Sequence, residues 1–580
     1  MSLRMLQLAA LAVLSSGVSG AAEPPEPFRV SVYATAGNVV QFMGTPRDMA
    51  GVLERLRALG VSHLFLEGRR GDEHVEPARL KEARGFFEAR GIRCSGGIAT
   101  VPGGAFGTRQ NEALGWLDWE SPKTREGVAG FFEENAPVFD ELVVDDFYCT
   151  GDTSDISARA RGDRTWGTYR RDLMVSLLKP LVFEPTRAAN PSARLIIKFP
   201  QWYDRFHMFG YDPARMALPF DRVWVGTEVR NPETRRMGFV QPTEGYVNFS
   251  WIRSVAGPKV VGAWFDHIEC TPQNFVDQAY LSVLAGAREL TLFNLGDVMG
   301  GHPGDALLAA RLPELCALAS KIEGRARRGI PYYKPPDSDA ADNLYLMDYL
   351  AVAGFPILPV ATYPAEAKSV FLGAQAGADG AVVGHMEAGL ARGVTFTVTP
   401  AFLRRIGQRG SGLAGVDVGP VVVELGVSSL VQGRRTQELS RPLDVDGSVR
   451  VTTAGVRWAT AEGLPVLTER AVGRGRVLVW NVRTFSEQNF REVGEWLLAP
   501  RQLGLAEVAQ PVLDDVRRGV MEPEGLRFEG PARVARCDFA DAVCLYNFRS
   551  EGVSVRVDGR AVSLGANQCV WVDRRGFKRR

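Results

Sequence analysis

Blocks of like charge are missing from this 580-residue chain, in which 68 Lys and Arg residues almost cancel 67 Asp and Glu. That excludes an electrostatic nucleic-acid surface or an acidic tail. Cysteine is scarce as well. Seven are too few for a disulfide framework, and the odd count leaves at least one unpaired. Cys537 and Cys544 flank a short segment that could form a hairpin, so a local bridge between them is open, with buried free thiols the alternative. No CxxC occurs, and the six histidines form no HxxH or HxxxH pair, so no metal is expected. The GxGxxG fingerprint of an open dinucleotide-binding sheet does not follow the first strand. Past the N-terminus no run of eighteen apolar residues occurs, which predicts no membrane span.

What is present begins with Arg4, an apolar run over 6–13 and a string of small residues. These are the three parts of a secretory signal peptide, expected over 1–22, and they predict a secreted or periplasmic protein. The rest is ordinary globular composition, and its length calls for two or three domains. Between residues 28 and 324, short β-branched runs alternate with amphipathic stretches. Eight strands are expected, over 28–34, 61–67, 92–99, 141–147, 193–199, 222–228, 259–266 and 289–294. Gly60 and Gly91 stand where helices should end in left-handed caps. Eight such units predict a (β/α)8 TIM barrel over 23–328. Residues 329–337 read as a linker, followed by a second α/β domain over 338–505. Its strands are expected near 367–372, 394–398, 421–425 and 477–482, and its helices over 381–392 and 487–498. Short alternating segments over 511–580 predict a small antiparallel β domain.

Barrel enzymes work at the carboxyl ends of their strands, and here those ends are acidic: Glu67, then Asp145 and Asp146, Glu228 and Asp266. Adjacent aspartates after an apolar strand are costly to bury unless paired or shifted in pKa. Glycoside hydrolysis gives a reason for the cost, since one carboxyl protonates the leaving oxygen while another attacks the anomeric carbon or activates water. It needs no cofactor. Asp146 and Asp266 are the best catalytic pair, with Glu228 as the substitute. Alternation along a strand suggests that Asp145 and Asp146 point apart, one toward substrate and the other fixing Arg69, Arg70 or Lys198. Asp145, Glu67, Arg69, Lys198 and Arg230 are candidate substrate contacts, and Trp202, Tyr148 and Trp264 candidate platforms for a sugar ring. Asn248-Phe249-Ser250 fits a glycosylation acceptor.

The segment Phe139-Asp140-Glu141-Leu142-Val143-Val144-Asp145-Asp146-Phe147-Tyr148 resembles the Asp-Asp-aromatic motif of uncharacterised glycoside-hydrolase families related to clan A. The likeness runs more loosely through Gly226-Thr227-Glu228-Val229-Arg230 and Gly262-Ala263-Trp264-Phe265-Asp266. The three-part layout is similar to beta-galactosidases with an amidotransferase-like trimerisation domain after the barrel. This implies a carbohydrate partner and a homo-oligomer. The chain has no cysteine between Cys316 and Cys537, so its amidotransferase-like domain lacks the nucleophile of a working one. Clan A proteins usually carry Asn-Glu at the end of strand four, where this chain has Asp145-Asp146. Clan A usage would pair an Asp146 acid/base with an Asp266 nucleophile. Alpha-galactosidase-like usage would pair a strand-four aspartate nucleophile with Glu228. Together these predict a secreted, retaining glycoside hydrolase. The rivals are a noncatalytic carbohydrate-binding barrel, a transglycosidase or a polysaccharide lyase.

Overall fold

The computed structural model describes residues 27–111, 114–234, 238–492 and 499–574, so the signal-peptide segment and the end of the 487–498 helix lie outside the described residues. Eight parallel strands alternate with helices: β1 Arg29–Ala34, β2 Val61–Arg70, β3 Arg93–Ala99, β4 Glu141–Val144, β5 Arg194–Phe199, β6 Arg222–Gly226, β7 Val260–Asp266 and β8 Glu289–Phe293. β1 pairs with both β2 and β8, which closes the sheet into a barrel. Local chemistry sets the elements. Helix α1, Pro46–Ala58, starts where the Thr45 side chain accepts the Asp48 N–H, and it buries Met49, Val52, Leu53 and Leu56. Gly60 and Gly91 follow their helices with φ of 64° and 85°, the left-handed stops expected.

Tyr33, Phe65, Val143, Ile196, Trp224 and Trp264 fill the barrel centre. Two glycines make room for these rings. A Cβ on Gly262 would lie 2.1 Å from the Trp224 indole, and one on Gly97 would lie 2.8 Å from the Tyr33 hydroxyl. This layer also fixes the mouth, because residues two apart on a strand share a face. Beyond Phe65, Val143, Ile196 and Trp264 come Glu67, Asp145, Lys198 and Asp266.

The supposed linker is not one. Ile330–Tyr333 is strand β9, parallel to both β10, Ile357–Val360, and β11, Ser369–Leu372. Pro331 stands inside the strand, in register with Leu358, and the proline-rich composition around it is what reads as a linker. The sheet continues through β12, Thr395–Val398, and its parallel neighbour Gly475–Trp480, and then through antiparallel strands. Among these, the expected strand at 421–425 begins instead at Glu424 and runs to Gln432. A short helix, α2, Leu346–Val352, joins this domain to the barrel. The last domain is antiparallel, with Val534–Phe539, Ala542–Asn547 and Cys569–Asp573 in one sheet. Cys537 and Cys544 are cross-strand neighbours, but the Cys544 sulfur lies 3.3 Å from Cys569, and all are free thiols.

Candidate active site

At the mouth, Lys198 stands between three carboxylates. Its Nζ lies 2.6 Å from Asp146, 3.1 Å from Glu228 and 3.8 Å from Asp145, and 4.6 Å above the Trp264 ring. Arg70 bridges Glu67, at 2.8 Å, and Asp145, at 3.3 Å. Glu67 also accepts from the Tyr33 hydroxyl and the Ala36 N–H. On the far side, Arg230 grips Asp266 through Nε and a terminal nitrogen, the latter at 2.6 Å, and Ile268 N–H adds a third donor. All five acids are buried.

The charges do not balance. Five carboxyls, Glu67, Asp145, Asp146, Glu228 and Asp266, face three cations, Arg70, Lys198 and Arg230. In a buried site such a surplus is relieved by keeping protons. Burial pushes the Asp146 carboxyl well above the usual carboxylate range, and Asp145 and Glu228 push it further, overriding Lys198. Burial also raises Glu228, with Asp266 adding to it, and raises Glu67 despite Arg70. Asp145 goes the other way: burial opposes its charge, but Lys198 and Arg70 hold it below the ordinary value. The two adjacent carboxyls are thus shifted in opposite directions, Asp146 toward its protonated form and Asp145 toward its ionised one.

Both aspartates reach Lys198, contrary to the alternation argument, because β4 stops at Val144 and the chain turns. The same turn sends Tyr148 away from the mouth, where it donates to the Met174 carbonyl and packs 4.7 Å from Trp119. Arg69 also lies apart, over Phe106. An irregular register at Gly68 shifts the alternation of β2, so Arg70 rather than Arg69 faces inward. Trp202 stacks on Trp116 at 5.9 Å beside Tyr211, whose hydroxyl donates to the Asp146 carbonyl, and its Nε1 has no hydrogen-bond partner. Trp264 forms the floor, against Tyr33 at 4.6 Å. Asn248 is fully buried and donates to the carbonyls of Pro200 and Gly226, so this acceptor motif is instead a tie between the ends of β5 and β6.

Sequence reading missed Glu244. It opens a helix, Glu244–Ala256, after β6, yet it is buried with neither oxygen hydrogen-bonded, pushed well up by burial and by Asp348 on α2. Among the described residues, His207, Asp339 and Glu487 also bring ligand-type atoms within 4.8 Å of one another. Local spacing cannot reveal such a set. Arg405 already pairs with Asp339, and His207 with Glu487, so salt bridging accounts for it.

Residues 19–304 match the family described as "Probable glycosyl hydrolase, catalytic domain". That match takes in all eight strands of the barrel. An uncharacterized protein of Saccharolobus solfataricus is 25% identical over 301 residues, 47% of this chain and 49% of that protein. The chain thus spans about half the length of this curated relative. Among solved structures, the beta-galactosidase from Rahnella sp. R3 has a TM-score of 0.61 at 13% identity, covering 95% of this chain and 99% of that one. The E323A catalytic mutant of Gan42B, a GH42 beta-galactosidase from G. stearothermophilus, has a TM-score of 0.64 at 10% identity, covering 94% and 98%. At such identities the likeness is one of fold, and it extends over nearly the whole of each chain.

Proposed function

We propose that the protein is a retaining glycoside hydrolase, with Asp146 as acid and base and Asp266 as nucleophile. The observation that carries this reading is the contrast between the two groups: Asp146 is buried against Asp145 and Glu228, which favour its protonated form, while Asp266 is fixed by three N–H donors. Carboxyls set apart by their environments are what acid and nucleophile require. Asp146 gives its proton to the leaving oxygen as Asp266 attacks the anomeric carbon. The Asp146 carboxylate then takes a proton from water, whose oxygen displaces Asp266 and frees the sugar. Trp264 and Trp202 provide apolar faces for the ring. The assignment of strands four and seven follows the clan A resemblance.

Glu228 is the second reading for the partner of Asp146. Both touch one ammonium, at 3.1 and 2.6 Å, so their contacting oxygens lie closer than the roughly 6.5 Å at which inverting pairs begin. The Oε2 of Glu228 also has no hydrogen-bond partner.

The test is sugar release from aryl glycosides and oligosaccharides, starting with β-galactosides because the solved neighbours are beta-galactosidases. Wild type is set beside Asp146→Asn, Asp266→Asn and Glu228→Gln, with proton NMR of the first-formed anomer. Retention, with activity lost in Asp146→Asn and Asp266→Asn, supports the first assignment. Binding without release favours a noncatalytic barrel, and an ultraviolet-absorbing unsaturated product a lyase. Transfer to added sugar acceptors in place of water marks a transglycosidase. We also infer export through residues 1–22 and assembly as a homo-oligomer, checked by the N-terminus of the exported protein and by light scattering.

A further inference from the structure

A cavity of about 620 Å³ opens where the second domain meets the last one. A smaller space of about 50 Å³ continues it against the barrel, and the two share Arg533 and Phe548. Small-molecule sites are concave spaces of roughly 300–1,000 Å³, so the larger cavity has room for a short saccharide. None of the mouth carboxylates lines either space.

The lining argues for a neutral, hydroxyl-rich ligand. Its two cations are each matched by an acid: Arg533 meets Glu507 at 2.9 Å, and Arg549 pairs with Glu551. The wall therefore offers many donors and acceptors with no net charge, which suits a polyol better than a phosphate or another anion. Half-buried Phe548, backed by Tyr546 at 4.8 Å, gives both spaces an aromatic surface on which sugar C–H groups can stack.

The groove also has a link to the catalytic mouth. Arg533 reaches Glu233 at 3.2 Å, and Glu233 lies in the loop after β6 that also carries Arg230, the residue gripping Asp266. Both arginines are left-handed, with φ of 64° and 52°. Residues other than glycine hold that conformation only where the surroundings enforce it, often at functional sites.

We propose that this groove is a second, noncatalytic binding site for a neutral oligosaccharide, connected through Arg533 and Glu233 to the loop that holds Asp266. The ligand class rests on the glycoside-hydrolase reading. The test uses the full chain carrying Asp266→Asn, titrated with β-1,4-linked galacto-, gluco- and manno-trisaccharides by calorimetry, with hydrogen exchange on the same samples. Residues 506–510 and 548–551 gain protection with at least one trisaccharide, and adding Phe548→Ala weakens that binding event about tenfold. Arg549→Gln serves as a second variant should Phe548→Ala fail to fold. No protection of either segment with any of the three, or protection that survives both variants, overturns the proposal. Groove protection in a protein whose wild type hydrolyses nothing would leave the groove standing and remove the hydrolase reading. Hydrolysis without groove protection does the reverse.

Discussion

The two ends of the barrel carry similar ingredients to opposite effect. At the N-terminal end, Glu289 opens β8 between His63, at 2.6 Å, and Arg29, at 3.3 Å. Glu141 opens β4 with Arg93 at 2.7 Å, while Arg194 and Arg222 each approach to 3.6 Å. Cations are in excess there, and although burial pushes Glu289 up, His63 and Arg29 hold it below its ordinary value. At the C-terminal end acids are in excess, and burial wins at Asp146, Glu228 and Glu67. Both ends bury charge at a cost. One end pairs its acids with surplus cations, and the other holds carboxyls shifted toward their protonated forms.

Substitutions at the two ends should therefore separate activity from stability. The largest effect is expected at the mouth: Asp146→Asn and Asp266→Asn each lower kcat on an aryl glycoside by about a thousandfold or more, with the denaturation midpoint close to that of wild type. At the other end Glu289→Ala strands buried positive charge, costs about 3–5 kcal/mol in urea unfolding, and changes kcat less than about threefold. If Glu289→Ala instead abolished activity in protein that was still folded, the division between the ends would fail.

A pH profile sharpens the comparison. The proposed acid works only while protonated, so the rate should fall as pH rises through the raised pKa of Asp146. Lys198 is the group pulling that pKa down. Lys198→Met should then move the alkaline limb to higher pH, even as kcat drops, while Lys198→Arg leaves the limb in place. An alkaline limb that stays put in Lys198→Met would argue that a group other than Asp146 donates the proton.

How much of this the sequence disclosed depends on whether the determinants are local. Strand alternation and acids at strand ends are local, so the eight strands and the acids Glu67, Asp145, Asp146, Glu228 and Asp266 could be read directly. The position of Arg70 could not, because the irregular register at Gly68 reverses the inward face of β2. Tyr148 was misplaced because the expected strand runs on to residue 147, whereas the paired strand ends at Val144. β9 was hidden by prolines that read as a linker. The partners of Arg533 and Asp339 lie hundreds or tens of residues away, where no spacing rule reaches.

Glu244 is the extreme case and gives the smallest expected effect. In the sequence it is an acid in a first helical turn, where the helix dipole favours negative charge and exposure is the ordinary expectation. In the fold α2 covers it: Thr243 donates to the Asp348 carbonyl at 2.6 Å, and the Glu244 carboxyl is left buried without a hydrogen bond. Burial and Asp348 raise its pKa well above the unfolded value. The folded state then binds a proton that the unfolded state has released. Its contribution to stability is thus complete below the unfolded pKa and is lost as pH rises through the folded one. Glu244→Gln cannot ionise, so the variant should match wild type in acid and become the more stable of the two as pH increases. Thermal unfolding of both proteins across that range measures the difference, and parallel curves would mean that Glu244 is ionised in the fold and has a partner there.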